Sequence, residues 1–280
     1  MSIIKFGGKG DAVIIIQKQL VKLSYTDPKG KPLVVDGHFG FNTEYAVLQF
    51  QKKSGLIADG KVGDKTRTAL FGGNTSKFLK DSDYKSAALR LNVPELNIRA
   101  FGATEARGVG FLNNGKAKIL FERHKMYAHL VKFKGKAFAN EQMKKLPNLV
   151  NSAKGGYKGN EAEYTRLSLA KNIHEESALM SCSWGQFQIM GENWQDLGYK
   201  SIHEFVEQMQ TSESLQLEAF IRFIETKKGL LPALQKEDWD TVFRLYNGPN
   251  YKKLGYEAKF LKERAHLEPI YGVQTVHEKT

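Results

Sequence analysis

A short sequence pattern occurs twice near the start of the chain, and the two copies begin twenty-three positions apart. Residues 36–47 read DGHFGFNTEYAV and residues 59–70 read DGKVGDKTRTAL. Both follow one rule: Asp-Gly, one residue, an apolar residue, Gly, two residues, Thr, two residues, Ala and an apolar residue. A repeat of this kind predicts one small structural unit that is built twice, which constrains the fold more than any overall property of the chain.

Each copy predicts a tight turn followed by a short helix. The Asp-Gly pair and the later Gly suit a backbone that needs positive φ. Because short polar side chains accept hydrogen bonds from the first turn of a helix, we expect Asn42 or Thr43 to cap the first of these helices. Asp64 or Thr66 is expected to do the same for the second.

The rest of the chain divides by pattern into two domains. A helix with apolar residues from Val13 to Leu23 joins the two copies in a predicted three-helix bundle, residues 1–72. Residues 73–80 are predicted to be a linker. Residues 81–280 are predicted to form a larger, mostly helical domain with one small β-hairpin, which turns at Asn114-Gly115 in type I′ geometry. The fold class is therefore mainly α.

The net charge of the chain limits the classes of partner that it is expected to bind. Lys and Arg number 42 against 30 Asp and Glu, which gives a formal net charge of +12. Attraction to an anionic polymer would explain this excess, and a bacterial envelope is such a polymer. Nucleic acid is not expected as a partner, since zinc-finger spacing, an aromatic RNA-binding signature and a dense Arg cluster are missing.

The cysteine content and the apolar segments of the sequence indicate where the chain can fold. Cys182 is the one cysteine of the sequence, so no intrachain disulfide can form and the chain can mature in a reducing cytoplasm. The early apolar run from Ala12 to Ile16 is far shorter than a membrane span. The start of the chain also lacks the features of a signal peptide. We therefore expect no stable membrane insertion.

Glu105 is the first candidate for catalysis. It stands at the end of an apolar stripe that contains Ile98 and Phe101. Burial in such a place disfavours the charged carboxylate and raises its pKa. A carboxylic acid that stays protonated near neutral pH is what glycosidic cleavage requires of its general acid. The alternative is a partly exposed Glu that pairs with Arg99 or Arg107 at a helix end.

Later segments connect Glu105 to a known family. Residues 181–191 read SCSWGQFQIMG and residues 246–251 read YNGPNY. In the order Glu-x-x-Gly, Ser-x-Gly-x-apolar-Gln and Tyr-Asn-Gly, these segments resemble the lysozyme superfamily, especially goose-type lysozymes and soluble lytic transglycosylases. With TEARGVGF, LFERH and EYTRL, the chain from about residue 80 to 270 resembles the N-acetylmuramidase domain of modular phage endolysins. The repeat resembles the peptidoglycan-binding domain of bacterial and phage cell-wall hydrolases, over about residues 8–72.

This resemblance implies a lysozyme-like fold and a role for Glu105. It would be the general acid that protonates the oxygen bridging N-acetylmuramic acid and N-acetylglucosamine. The following position is commonly Ser in these families and is Ala106 here. Glu122 is the leading candidate for a second carboxylate, because the hairpin could fold it back towards Glu105; an ion pair with Arg123 or a nearby Lys is the alternative. A single acid acting with water, or internal attack that gives a 1,6-anhydro product, also stays open.

Four more residues are interpreted as positioning the substrate: Ser183, Gln188, Tyr246 and Asn247. Their hydroxyls and amides offer the hydrogen bonds that the N-acetyl and hydroxyl groups of sugars need. Trp184 could either stack on a sugar ring or pack in the core.

Substrate, cofactor and oligomeric state can also be predicted for this chain. The resemblance implies that bacterial peptidoglycan is the substrate and that no cofactor is used. A zinc amidase is the main rival enzyme, but His124 and His129 are five positions apart and fall on different faces of a helix, so no metal site is expected. We expect a monomer, made in the host cytoplasm, which reaches the periplasm and the wall once the inner membrane is permeabilised. A wall-binding or structural protein without catalysis is the other alternative.

Overall fold

The computed structural model describes residues 2–106 and 108–272, and the chain forms two compact units. Among the described residues, the first unit comprises residues 2–104 and 232–272. The second unit runs from Glu105 to Leu231. These units describe how the folded chain packs. The expected boundary at residues 73–80 concerns where one sequence module ends, and it stays a prediction.

Helices dominate both units, which confirms the mainly α fold class. The α-helices and β-strands are, in chain order, α1 (Asp11–Lys22), α2 (Phe41–Lys53), α3 (Asp64–Leu70), α4 (Asp81–Leu91), α5 (Glu95–Glu105), β1 (Ile119–Phe121), α6 (Arg123–Lys134), α7 (Lys136–Lys145), α8 (Ala162–Lys171), α9 (Glu175–Met180), β2 (Cys182–Trp184), β3 (Ile189–Met190), α10 (Ile202–Thr211), α11 (Glu213–Thr226), α12 (Leu230–Gln235), α13 (Trp239–Asn247) and α14 (Tyr256–Tyr271). Within the described residues, no helix combines the length and the apolar character that a bilayer span requires.

Helices α1, α2 and α3 enclose the apolar core of the predicted bundle. The repeat supplies a buried residue at the same place in each copy, Phe39 in the first and Val62 in the second. The predicted helix caps are wrong. Helices α2 and α3 begin after Gly40 and Gly63, and neither has a side-chain cap hydrogen bond.

The threonines that the two copies share are used inside the bundle instead. Each lies at the third position of its helix and points back at a buried glutamine of the preceding helix. Gln17 Nε2 donates to Thr43 Oγ1 at 3.0 Å, and Gln51 Nε2 donates to Thr66 Oγ1, also at 3.0 Å. The threonine hydroxyls are therefore engaged with glutamine and are not available as caps.

The same two glutamines hold the Asp-Gly turns. Gln17 Nε2 also donates to Asp36 Oδ1 at 2.9 Å, and Gln17 Oε1 accepts from the amide of Gly37 at 2.9 Å. Gln51 repeats this arrangement with Asp59 Oδ1 at 3.0 Å and the amide of Gly60 at 3.0 Å. Since both glutamines are almost completely buried, these bonds satisfy polar groups that water does not reach.

In the first unit, the second Asp-Gly turn packs against helix α14. His266 Nε2 lies 2.7 Å from the carbonyl oxygen of Asp59, and Lys61 forms an ion pair with Glu263 at 3.0 Å. Tyr271 Oη accepts from the amide of Ala58 at 3.0 Å. The turn is thereby fixed to a helix from the other end of the chain.

Residues 73–80, predicted to be a linker, also contact the core that α1, α2 and α3 enclose. Phe78 packs against that core, and Lys80 forms an antiparallel bridge with Leu56. The amide of Asp81 then donates to the carbonyl of Gly55 at 3.1 Å. These contacts anchor the chain between α3 and α4.

The second unit contains a three-stranded antiparallel sheet in the order β1-β2-β3. Strand β1 pairs with β2 so that Ile119 faces Trp184 and Phe121 faces Cys182. The residues before β1 form the predicted hairpin, with a bridge between Phe111 and Ala117. The sheet is therefore larger than the expected hairpin, because the SCSWG segment joins it.

The turn of that hairpin differs from the predicted type I′ geometry. Type I′ requires positive φ at two successive residues. Here Gly115 has a φ of 78°, but the φ of Asn114 is not positive. The amide of Leu112 donates to the carbonyl of Lys116 at 2.8 Å, which closes a three-residue loop. Asn114 Oδ1 accepts from the amide of Lys116 at 3.1 Å, so the asparagine is used as an acceptor in the turn.

Candidate functional site

Glu105 is the last residue of α5, and its exposed fraction is 9%. The apolar stripe that leads to it is observed: Ile98 and Phe101 are fully buried. One turn before Glu105, the ring of Phe101 packs edge-on against Tyr246 with 5.3 Å between centroids. The predicted placement of a carboxyl at the buried end of an apolar stripe is confirmed.

The arginine named as an alternative partner of Glu105 is engaged elsewhere. Arg99 forms ion pairs with Glu95 at 2.6 Å and with Asp81 at 3.0 Å. Its guanidinium also lies 3.9 Å from the ring centroid of Tyr271. The other named partner, Arg107, lies outside the described residues.

The loop that follows Glu105 is held from helix α11. The amide of Gly110 donates to Glu213 Oε1 at 2.7 Å, and the carbonyl of Gly110 accepts from Gln216 Nε2 at 3.4 Å. A Cβ at position 110 would lie 2.1 Å from Gln216 Oε1. Glycine is therefore required here by the close approach of α11.

Gln216 also fixes the turn between β2 and β3. Its Oε1 accepts from the amide of Gln186 at 2.7 Å, and a Cβ on Gly185 would approach its side chain to 2.5 Å. One buried glutamine thus ties the loop after Glu105 to the SWGQFQ turn. Sequence reasoning missed Glu213 and Gln216, although both share a helix face with buried Phe220 and so interrupt an apolar stripe.

Two of the predicted positioning residues lie together in that turn. Ser183 Oγ donates to Gln188 Oε1 at 2.8 Å, and Gln188 Nε2 donates to the carbonyl of Gly185 at 2.8 Å. Gln188 has a φ of 52°, which its own side-chain bonds help to maintain. The structure brings Ser183 and Gln188 into contact, and their role towards a sugar stays a prediction.

Cys182 and Trp184, both in the SCSWG segment, are core residues. Trp184 is 1% exposed and donates from Nε1 to the carbonyl of Leu179 at 3.2 Å, so stacking on a sugar is ruled out. Cys182 is fully buried, and burial raises the pKa of its thiol well above the usual range. Cys182 is therefore a small buried hydrophobic residue of the core.

The other two predicted positioning residues belong to the first unit. Tyr246 and Asn247 are the last residues of α13, which ends at Gly248 with a φ of 85°. Both are half-buried. Tyr246 is the ring that packs on Phe101 of α5, so it is positioned by the helix that carries Glu105.

Glu122 lies immediately after β1 and contacts Tyr157 and His124. Its Oε2 accepts from the hydroxyl of Tyr157 at 2.7 Å and lies 3.2 Å from His124 Nδ1. The predicted alternative is an ion pair with Arg123 or a nearby Lys. Among the described residues Glu122 forms neither pair, and the Arg123 guanidinium donates to backbone carbonyls of residues 147, 153 and 154. Burial lowers the pKa of His124, although Glu122 opposes this shift.

The second histidine of α6 contacts a different carboxylate. His129 Nε2 lies 3.2 Å from Glu192 Oε2, and Lys125 Nζ lies 2.6 Å from Glu192 Oε1. Burial would raise the pKa of Glu192, but His129 and Lys125 outweigh it and lower that pKa. The two histidines of α6 thus contact two different carboxylates, Glu122 and Glu192. Among the residues that the structure describes, no three His, Cys, Asp or Glu side chains form a group that could hold a metal ion.

Comparison with known sequences identifies both parts of the chain. A family model for N-acetylmuramidase matches residues 94–268, and a model for a peptidoglycan-binding domain matches residues 9–70. A probable N-acetylmuramoyl-L-alanine amidase of Bacillus licheniformis is 44% identical over 63 residues, which are 22% of this chain. This chain spans only 18% of the length of that relative, so the match does not carry the amidase activity over.

The fold matches a solved structure over nearly its whole length. The crystal structure of the Burkholderia AP3 phage endolysin aligns with a TM-score of 0.86 at 38% sequence identity, and the alignment covers 96% of this chain and 100% of that one. The muramidase match alone covers more than half of the chain. The chain therefore belongs to the N-acetylmuramidase family and, with its N-terminal peptidoglycan-binding domain, has the make-up of a peptidoglycan-degrading endolysin.

Proposed function

We propose that this protein cleaves the β-1,4 bond between N-acetylmuramic acid and N-acetylglucosamine, with Glu105 as the general acid. The observation that carries this assignment is the burial of Glu105 at the end of the apolar face of α5, in a chain of the N-acetylmuramidase family. An apolar environment favours the neutral carboxylic acid, which is the form that can donate a proton.

In the proposed reaction, Glu105 donates its proton to the bridging oxygen as the bond to the anomeric carbon breaks. Positive charge develops at that carbon, and a water molecule adds to it. The proton of the water passes to a base, for which Glu122 is the candidate. Tyr157 and His124 hold the Glu122 carboxyl in place, and such fixed geometry is what a catalytic base requires.

The other residues and the first domain would serve the substrate. Ser183, Gln188, Tyr246 and Asn247 are proposed to hydrogen-bond the N-acetyl and hydroxyl groups of the glycan. The peptidoglycan-binding domain would keep the enzyme on the wall. We further propose that the protein acts as a monomer without nucleic acid, is stored in the host cytoplasm and reaches the wall after permeabilisation of the inner membrane.

Replacement of Glu105 tests the central assignment. Glu105→Gln keeps the size of the side chain and removes the acid, so we expect clearing of outer-membrane-stripped bacteria to slow by at least about a hundredfold. The matched control is Glu161→Gln, on an exposed glutamate of the second unit. If Glu105→Gln clears cells as fast as the parent while remaining folded, Glu105 is not the general acid.

The products decide the reaction type. Mass spectrometry of digested peptidoglycan is expected to show reducing ends on N-acetylmuramic acid, as hydrolysis gives. Anhydro ends would mean transglycosylation, and released peptides would contradict cleavage of the glycan. Glu122→Gln, measured in parallel, is expected to lower the rate if Glu122 is the base; an unchanged rate would remove it from the reaction.

A further inference from the structure

An open groove lies on the second unit, between the end of α7 and the outer face of α8. Its volume is about 440 Å³. Three cationic residues and three leucines are among the residues that line it: Lys145, Lys158, Arg166, Leu146, Leu149 and Leu169. Leu146 and Leu169 keep 40% and 52% of their surface exposed, so the groove presents apolar surface to water next to positive charge.

The charge of the groove is only partly balanced. Arg166 is buried and pairs with Glu163 at 2.7 Å, and Lys145 pairs with exposed Glu141 at 2.6 Å. Within the described residues Lys158 has no ion pair, and its exposed side chain lines the groove. A bound carboxylate would therefore find Lys158 free to bind it.

One buried side chain of the groove, Arg166, is hydrogen-bonded to the strand that precedes Glu122. Arg166 donates to the carbonyl of Phe121 at 2.9 Å and to the carbonyl of Asn148 at 2.8 Å. Phe121 is the residue directly before Glu122, so Arg166 joins the groove to the end of β1. Burial would raise the pKa of Glu163, but backbone amides and Arg166 outweigh it and lower that pKa. The Arg166 side chain, which lines the groove, is thus held by Glu163 and by two backbone carbonyls.

We propose that this groove binds the stem peptide of peptidoglycan while the glycan strand is cleaved. The proposal rests on the proposed function, because a muramidase meets peptides attached to the muramic acid next to the bond that it cuts. Stem peptides carry free carboxylates and alanine methyl groups. The carboxylates match Lys158, and the methyl groups match the leucines of the groove. The enzyme would then prefer glycan strands that carry peptides.

The test compares two soluble glycan oligomers, one with stem peptides and one from which an amidase has removed them. Full-length Lys158→Glu is expected to lower kcat/KM about tenfold on the peptide-bearing oligomer, as for the loss of one charge-assisted hydrogen bond. Its kcat/KM on the stripped oligomer is expected to stay unchanged. The matched control is Lys228→Glu, on an exposed lysine of the same unit outside the groove, and it should change neither value.

Leu169→Ala provides a second variant without a change of charge. We expect it to lower kcat/KM only on the peptide-bearing oligomer, because it removes apolar surface from the groove. An equal loss on both oligomers, or no loss with Lys158→Glu, would overturn the proposal. Weaker binding of Lys158→Glu to anionic vesicles, with unchanged cleavage of both oligomers, would assign the groove to a lipid surface. If the parent protein cuts neither oligomer, the proposed function itself fails.

Discussion

The two copies of the repeat are built alike and placed differently. In each, a buried glutamine of the preceding helix binds the Asp carboxylate, the Gly amide and the Thr hydroxyl of the following turn. In the first copy, Asp36 and His38 are exposed to solvent. In the second, Asp59 and Lys61 contact His266 and Glu263 of α14.

This difference between the copies distinguishes the residues that build the turn from the residues that stay accessible to a ligand. The shared residues Asp, Gly and Thr are satisfied within each copy, so they explain the turn. The middle residue of each turn differs, His38 in one copy and Lys61 in the other, and Lys61 is used against α14. Of the two turns, the first is the one that keeps its surface open to a wall polymer.

The largest effect should come from removal of the glutamines. Gln51→Leu leaves the amides of Asp59 and Gly60 without their acceptor in a covered turn, and we expect it to cost about 3 kcal/mol in local stability. Gln17→Leu is expected to cost about 1 kcal/mol less, because it leaves one amide, that of Gly37, without its acceptor instead of two. Hydrogen exchange of amides in α1 and α2 measures both.

The neighbouring exposed lysines provide controls for these two variants. Lys18→Leu and Lys52→Leu lie next to the glutamines on the same helices and should change local stability by less than about 0.5 kcal/mol. If Gln17→Leu proved as costly as Gln51→Leu, the number of amides left without an acceptor would not decide the cost. The contrast between the copies would then be one of position alone.

A smaller effect with the opposite order is expected at the glycines of the turns. Gly37 and Gly60 have φ of 73° and 70°, so alanine costs about 1 kcal/mol at either position. A Cβ at position 37 would lie 3.1 Å from the branched side chain of Ile14, whereas at position 60 it would meet the flexible side chain of Glu44 at 3.1 Å.

We therefore expect Gly37→Ala to destabilise its copy more than Gly60→Ala, by about a further 1 kcal/mol of packing strain. Thermal unfolding of the full-length variants gives the order, and hydrogen exchange assigns it to a copy. An equal loss in both variants would show that Ile14 yields as easily as Glu44.

Much of the fold could be predicted because it depends on local pattern. The repeat predicted the turns and helices of the bundle, and the stripe of Ile98 and Phe101 predicted the buried end of α5. The helix caps could not be predicted, because Thr43 and Thr66 are as well suited to a cap as to a bond with a buried glutamine. Only the position of Gln17 and Gln51 in space decides between the two.

The candidate site shows the same limit. Glu105 could be predicted from its place in a stripe, and the contact of Ser183 with Gln188 follows from one turn. The contacts of Glu213 and Gln216 with Gly110 could not be predicted, since they join residues about a hundred positions apart. Nor could the sequence show that Glu122 would contact Tyr157 in preference to Arg123.

The smallest expected effect is the dependence of local stability on pH. Its sign is opposite in the two copies. A hydrogen bond from Gln17, with that from the amide of His38, lowers the pKa of Asp36 below its usual 3.8. Asp36 thus adds stability at neutral pH, and this is lost as pH falls through the lowered pKa. Burial raises the pKa of Asp59 despite bonds from Lys61 and Gln51. Asp59 thus adds stability at low pH, and this is lost as pH rises through the raised pKa.

Asparagine at each position removes the titration and keeps the acceptor oxygen. At pH 7, Asp36→Asn is expected to weaken the first copy, whereas Asp59→Asn is expected to strengthen the second; both differences should vanish at low pH. Carbon-13 NMR of the two carboxyl groups gives each pKa directly, and hydrogen exchange gives the stability. Shifts of the same sign at both carboxyls would show that contact with α14 does not alter the environment of the second turn.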